Sequence, residues 1–303
     1  MYHPRLKGSH YDMGRKMGTI FISCNAQFPI RLDKFQMEFG RESRRLLKEF
    51  FPGAAEEIRG ITDVIGYDTE IFTSWMMCMG CCMYNIDEYV SVEVKGCTAF
   101  SFMRNGKVYY ARNNDLPPFL KGVCKSEYYA PERSNRFILN TSSFINGEEG
   151  INQHGLAAAM TFVMPKLEKI RPGFNSVFLV RYILENCCSV DEGIDSLKKL
   201  PIASNCNILL ADKTGKMVVA ECNPMELNLR LPEKNSEGED FIITVNSFSS
   251  EKMKKYEPGG VNTYLSEERY HTAFNALKNE NYSNAAEHAE NILRGRFGFM
   301  CQY

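Results

Sequence analysis

Gly96-Cys97-Thr98 is answered a short way on by Arg112-Asn113-Asn114-Asp115, so one stretch carries a thiol, a guanidinium and a carboxylate. A thiolate attacks carbonyl carbons, and a neighbouring cation or base favours the thiolate over the thiol. Together these residue types could transfer an acyl group from an amide or thioester. Taken alone, Arg112 and Asp115 are equally consistent with an ion pair closing a hairpin.

The elements around them decide how close they come. Phe100 to Arg104 and Val108 to Arg112 flank Asn105-Gly106, the strongest short signal for a two-residue hairpin turn. That turn pairs Arg104 with Lys107 and Ala99 with Arg112, and the register carried back sets Cys97 opposite Asn114. Cross-strand partners share a face, so Cys97, Arg112 and Asn114 point the same way. Asp115 lies just past that pair. Phe100, Phe102 and Tyr109 load one face of the hairpin, and Met103, Val108 and Tyr110 load the other. Strands with bulk on both faces belong in a sheet covered on both sides.

Residues 1 to about 90 read as helices: Arg41 to Phe51, Ala54 to Ile65 and the apolar Ile71 to Tyr84. From Glu93 to about 163 the texture turns β-rich, with strands at Arg136 to Thr141 and within Gly150 to Val163. Helices return at 175–188 and 190–200. A second hairpin joins Asn207 to Ala211 with Met217 to Cys222, and Phe241 to Asn246 reads as a further strand. Pro232 to Asp240 reads as a polar loop, 266–278 and 283–294 as helices, and Phe297 to Tyr303 as a strand cut off in progress. Strands bracketed by helices make an α+β layered fold, not a regular βαβ sheet.

Composition removes several function classes. Lys plus Arg (36) nearly cancel Asp plus Glu (37), and no basic run marks a nucleic-acid surface. No apolar run approaches a membrane span, and the start lacks a secretory stretch, so the expected location is the cytoplasm. The eleven cysteines are odd in number and scattered, which argues for free thiols. Cys78 and Cys81 form a CxxC with no second pair beside it, and the expectation is helix core, with no metal and no cofactor. The five histidines offer Cys97 no convincing base. The expected partner is a small-molecule amide or acyl donor, with no nucleic acid and no membrane, and homo-oligomerisation is left open.

The longer string resembles the choloylglycine hydrolase and penicillin-type acyltransferase group of N-terminal-nucleophile hydrolases. In that group a Cys-Thr strand start is answered by an Arg-Asn-x-Asp strand end. Pro52 to Gly66 is similar to the group's helical pro-segment. Gly150-Ile151-Asn152-Gln153-His154-Gly155-Leu156 is similar to its Gly-x-Asn-Glu-x-Gly-Leu turn, with Gln153 where Glu is common. Asn207 to Asp212, with Gly215 and Glu221, is similar to the strand-turn-strand that holds an active-site Asn. The long leader and Gly96 directly before Cys97 resemble the acyl-coenzyme A:6-aminopenicillanic acid acyltransferase branch, which matures by cutting itself at Gly-Cys.

The resemblance implies an αββα four-layer sandwich, with residues 1–96 as a helical pro-segment and 97–303 as the nucleophile-bearing chain of one globular domain. It implies cleavage between Gly96 and Cys97, after which the freed α-amine, with a reference pKa of about 8, serves as base for its own thiol. Arg112 would favour thiolate, Asp115 would hold the amine, and Asn207 would donate to the oxyanion, with Asn205 two residues away as the second choice. A bile-salt or penicillin V-type hydrolase is the second enzyme reading. A non-catalytic descendant serving as a binding or structural module is the reading from another class.

Overall fold

Side-chain caps set where the first helices begin. Ser9 Oγ accepts from Asp12 N at 3.1 Å at the head of α1 (His10–Ser23). Asp33 and Gln36 cap each other's backbone at the head of α2 (Lys34–Phe50), at 2.8 and 3.0 Å. The helix expected from Arg41 therefore begins at Lys34, where that reciprocal cap frees the chain to start. Pro52 opens α3 (Pro52–Ile65), and Gly66, at φ 72°, ends it in the left-handed conformation. Asp68 caps α4 (Thr69–Cys78). The helix expected to reach Tyr84 ends at Cys78, followed by turns through 82. The rest of that expectation lies outside the residues described by this computed structural model, which are 3–82, 96–116, 124–142, 144–259, 262–279 and 282–300.

Two glycines let α1 and α3 touch backbone to backbone. A Cβ on Gly14 would lie 2.0 Å from the Glu57 carbonyl oxygen, and one on Gly60 would lie 2.2 Å from that of Tyr11. Any larger residue would push the helices apart.

The strands form two sheets. The larger has eight strands in the order β1 (Arg5–Gly8), β4 (Lys125–Pro131), β5 (Phe137–Thr141), β6 (Glu149–Asn152), β7 (Ala157–Phe162), β8 (Cys206–Ala211), β9 (Met217–Asn223) and β10 (Glu226–Arg230). The smaller has four: β11 (Glu233–Lys234), β12 (Asp240–Thr244), β2 (Gly96–Arg104) and β3 (Lys107–Asp115). The β2–β3 register is the expected one, from Arg104 opposite Lys107 to Cys97 opposite Asn114. Its turn takes positive φ at both Asn105 (51°) and Gly106 (71°), the twist that suits a hairpin.

Three expectations are corrected. The short β1 pairs in parallel with β4 inside the stretch read as helical. Glu233 and Lys234 form a two-residue edge strand within the expected loop. Residues 294–299 turn rather than extend, with Gly295 and Gly298 both at positive φ, and 301–303 lie outside the described residues.

The layers stack helix, sheet, sheet, helix. Ala99, Ile242, Leu209, Met217 and Val219 fill the space between the sheets. On the outer face of the small sheet, Phe100, Phe102 and Phe241 pack on α8 (Ser266–Asn279) and α9 (Ala285–Leu293). On the outer face of the large sheet lie α1, α3, α4 and α5 (Ser176–Asn186), with α6 (Val190–Lys199) beside them. Bulk on both faces of the first hairpin is thus covered as expected. Residues of the leader share one core with the rest: Leu6, Ile58 and Phe72 pack in the same cluster as Phe178, Ile183 and Ile208.

Candidate active site

Pairing across β2 and β3 puts Cys97, Arg112 and Asn114 on one face, and their side chains meet there. Arg112 Nη2 donates to Cys97 Sγ at 3.1 Å and to Asn114 Oδ1 at 3.2 Å. The thiol donates in turn to Asn114 Oδ1 at 3.4 Å. Arg112 Nε is held by the Met160 carbonyl on β7 at 3.2 Å, which fixes the guanidinium against the thiol. Asp115 lies opposite Gly96 and is buried. Gly96 itself is the first residue of β2 in extended backbone, not in the left-handed region. Ladder pairing holds it there.

Two residues that sequence reasoning missed complete the surroundings of Cys97. Asn246 Oδ1, just past β12, accepts from the Cys97 backbone N at 2.6 Å, while Asn246 Nδ2 donates to the Phe162 carbonyl at 2.7 Å. Arg269, fully buried on α8, donates to the Cys97 carbonyl, to Thr98 Oγ1 at 2.9 Å and to Asn246 Oδ1 at 2.9 Å. A signal for Arg269 was present. It shares a helical face with Ala273, Ala276 and Leu277, and a charge on an apolar face needs a partner inside.

Asn207 is placed differently from the expectation. Its Nδ2 donates to Thr161 Oγ1 at 3.2 Å and to the carbonyls of Val245 and Ser247, each at 3.0 Å. Those acceptors engage both of its amide hydrogens. Asn205 donates to the Met164 and Tyr256 carbonyls, both at 3.0 Å. Asn152 holds its own turn, accepting from His154 N and Leu156 N.

Burial pushes the Cys97 thiol up from its ordinary range. Arg112 and Arg269 pull it down, and Glu148 and Asp115 push it up again. Burial also draws the Arg269 guanidinium down, with Cys97 and Asp115 opposing. With Cys97 inside the continuous chain, burial thus favours the neutral thiol, although two guanidiniums face the residue.

Cys78, Cys81 and Cys82 pack with Phe39, Ile170 and Ala203 in an apolar cluster. Among the described residues no group of His, Cys, Asp and Glu is arranged to hold a metal ion. A cavity of about 740 Å³ is lined by Val245, Ser247, Lys254, Glu257, Tyr270 and His271, with none of Cys97, Arg112 and Asn246 in its wall. Among the described residues no helix is long and apolar enough to cross a membrane.

The family described as acyl-coenzyme A:6-aminopenicillanic acid acyl-transferase matches residues 102–303, more than half of the chain. The chain belongs to that family. Arg112, Asp115, Asn246 and Arg269 lie inside the matched residues, and Cys97 lies just before them. No curated protein matches the chain. Among solved structures, penicillin V acylase from Agrobacterium tumefaciens is 18% identical over 65% of this chain and 71% of its own, at a TM-score of 0.42. A mutant conjugated bile acid hydrolase from Clostridium perfringens is 16% identical over 47% of this chain and 52% of its own, at 0.31. A second variant of that hydrolase is 15% identical over 50% and 46%, at 0.26.

Proposed function

We propose that this acyl-transferase family member is a self-cleaving N-terminal cysteine hydrolase or acyltransferase acting on linear amide bonds through a cysteinyl thioester. The observation that carries the reading is the double hold on Cys97: Arg112 at 3.1 Å from its sulfur and Asn246 at 2.6 Å from its nitrogen. Both atoms that the chemistry would use are thus engaged by neighbouring side chains.

Maturation uses the thiol once on the chain itself. Cys97 Sγ attacks the Gly96 carbonyl carbon, the C–N bond breaks, and the acyl group passes to sulfur as a thioester. The departing nitrogen takes the thiol proton and becomes the free α-amine, and water then opens the thioester to release the Gly96 carboxylate and restore the thiol. Residues 1–96 and 97–303 become two chains of one globular unit. The leader stays bound because Glu57 pairs with Arg181 at 2.7 Å in a core shared by both parts.

Turnover repeats the chemistry on a substrate. The new α-amine, with a reference pKa of about 8, accepts the thiol proton, as in N-terminal threonine enzymes. Burial keeps the thiol protonated in the uncut chain, so the amine is the missing base and cutting is the switch. Arg112 steadies charge at sulfur, and Asp115 and Asn246 orient the amine. The acyl donor is a small molecule, and water or an amine takes the acyl group.

Intact mass spectrometry tests this. Wild-type protein should resolve into fragments ending at Gly96 and beginning at Cys97, and Cys97→Ala should stay whole and inactive against N-acyl amides. Amide turnover by a wild type that never cuts would sink the reading.

A further inference from the structure

Asn207 is buried to 1% exposure, yet its Oδ1 has no hydrogen-bond partner among the described residues. A buried unpartnered oxygen is costly, and an apolar residue of the same shape would avoid it. Turning the amide over would set that oxygen against the two carbonyls its nitrogen now serves, so the network fixes the orientation. The two donors must be what the position needs. They hold the carbonyls of Val245 and Ser247, one on each side of Asn246.

Asn207 belongs to a row. Thr161, Asn207, Glu221 and Asn228 stand opposite one another on β7, β8, β9 and β10 and therefore share a face. Each grips the stretch that leaves β12. Thr161 Oγ1 donates to the Val245 carbonyl at 2.6 Å. Glu221 Oε1 accepts from Ser249 N at 2.7 Å and from Ser250 N at 3.1 Å. Asn228 Nδ2 donates to Ser250 Oγ at 2.6 Å.

That stretch has lost its own ladder. The pairing of β12 with β2 ends at Thr244 opposite Ala99, so Asn246 lies beyond the last paired residue. Side chains from the other sheet replace the missing backbone bonds. We propose that the row Thr161, Asn207, Glu221 and Asn228 is a positioning device that fixes Asn246 and, through it, the nitrogen of Cys97 against its own sulfur. This rests on the proposed role of Cys97, and it gives Asn207 a part other than donating to an oxyanion.

The test needs one readout that is independent of turnover. In Cys97→Ala protein the amide at position 97 remains an ordinary peptide N–H, and Asn207→Asp removes both donors with little change in shape. Hydrogen exchange at that amide, resolved by ¹⁵N NMR, should rise about tenfold, the loss of roughly one hydrogen bond. The amides of Phe100 and Ser101 on the same strand should hold their rates.

With Cys97 restored, Asn207→Asp should lower kcat more than it changes KM. Thr161→Val, which adds no charge, should move the acid limb of the pH profile to lower pH, because the amine loses an acceptor that favours its charged form. Adding Asn207→Asp to Asn246→Ala should cost nothing further, since one acts through the other. If Asn207→Asp does not fold, Thr161→Val, which deletes a single hydroxyl, carries the same measurements.

Unchanged exchange at position 97 in a folded variant, or additive losses, would overturn the proposal. Faster exchange with turnover that survives Cys97→Ala would keep the positioning row and remove the assigned nucleophile.

Discussion

Two buried clusters in this molecule handle arginine in opposite ways. Between the leader and α5, Arg181 meets Glu57 at 2.7 Å and Glu185 at 2.9 Å, with its guanidinium 4.1 Å from the centre of the Tyr129 ring. His10 reaches Glu185 from the far side at 2.5 Å. At the end of β2, Arg112 and Arg269 instead donate to a thiol, to carbonyls, to a hydroxyl and to side-chain amides. Cations already matched by carboxylates hold a structure together. Cations whose hydrogen bonds go to neutral groups beside a thiol, with Glu148 and Glu149 near Arg112 and Asp115 near Arg269 acting only through space, are placed for negative charge that has yet to form. Burial pushes Glu57 up even beside Arg181. Glu185 ends below its usual range because Arg181 and His10 together outweigh its burial.

The sharpest way to break this contrast is at Arg112. Arg112→Lys keeps a cation but loses the planar fork that reaches sulfur, Asn114 and the Met160 carbonyl together. Steady-state kinetics should show kcat down by about a hundredfold, the scale for losing one preorganised donor. The melting temperature should barely move. A variant with full activity and a large thermal loss would make Arg112 a structural cation like Arg181.

Much of the site could be read from the chain because the hairpin is local. Asn105-Gly106 sets the register, and the register alone brings Cys97, Arg112 and Asn114 together. Asn246 and Arg269 reach the same cysteine from far along the chain, through a sheet order and a helix placement that no local pattern records. Asn207 shows the converse. Strand and face were legible, but its partners are carbonyls at 245 and 247, which become visible only once β12 lies beside β2. Cover on both faces of the small sheet followed from bulk on both faces of the hairpin, whereas the four layers were implied by the resemblance alone. The early start of α2 depended on Asp33 and Gln36 bonding to each other, and the short β1 on a parallel neighbour far along the chain.

At the other cluster the expected effect falls on stability. Glu57→Gln leaves Arg181 with one fewer carboxylate in a site with no water access, and breaking such a pair costs about 3–5 kcal/mol. Because burial already pushes Glu57 up, the lower end of that range is expected. Urea unfolding should show the loss while kcat per folded molecule stays at the wild-type value. A large drop in kcat without a stability loss would mean that the leader's ion pair acts on the chemistry.

The smallest expected effect is a change of slope with pH. Glu127 on β4 is fully buried near the same cluster, with Lys125 Nζ at 3.3 Å, and burial pushes its carboxyl up to about 7. In the unfolded chain a glutamate titrates near about 4.3. A folded pKa raised in this way gives stability that is complete below about pH 4 and is lost as pH rises through about 7. Glu127→Gln cannot ionise, so its urea midpoint should match wild type near pH 4 and exceed it at pH 8. A variant less stable than wild type at pH 8 would mean that Lys125 overcomes burial and that Glu127 is ionised in place. It would then be matched charge of the Arg181 kind. The gain at high pH should leave the acid limb of turnover where it was if that limb belongs, as proposed, to the amine of Cys97 at the other cluster.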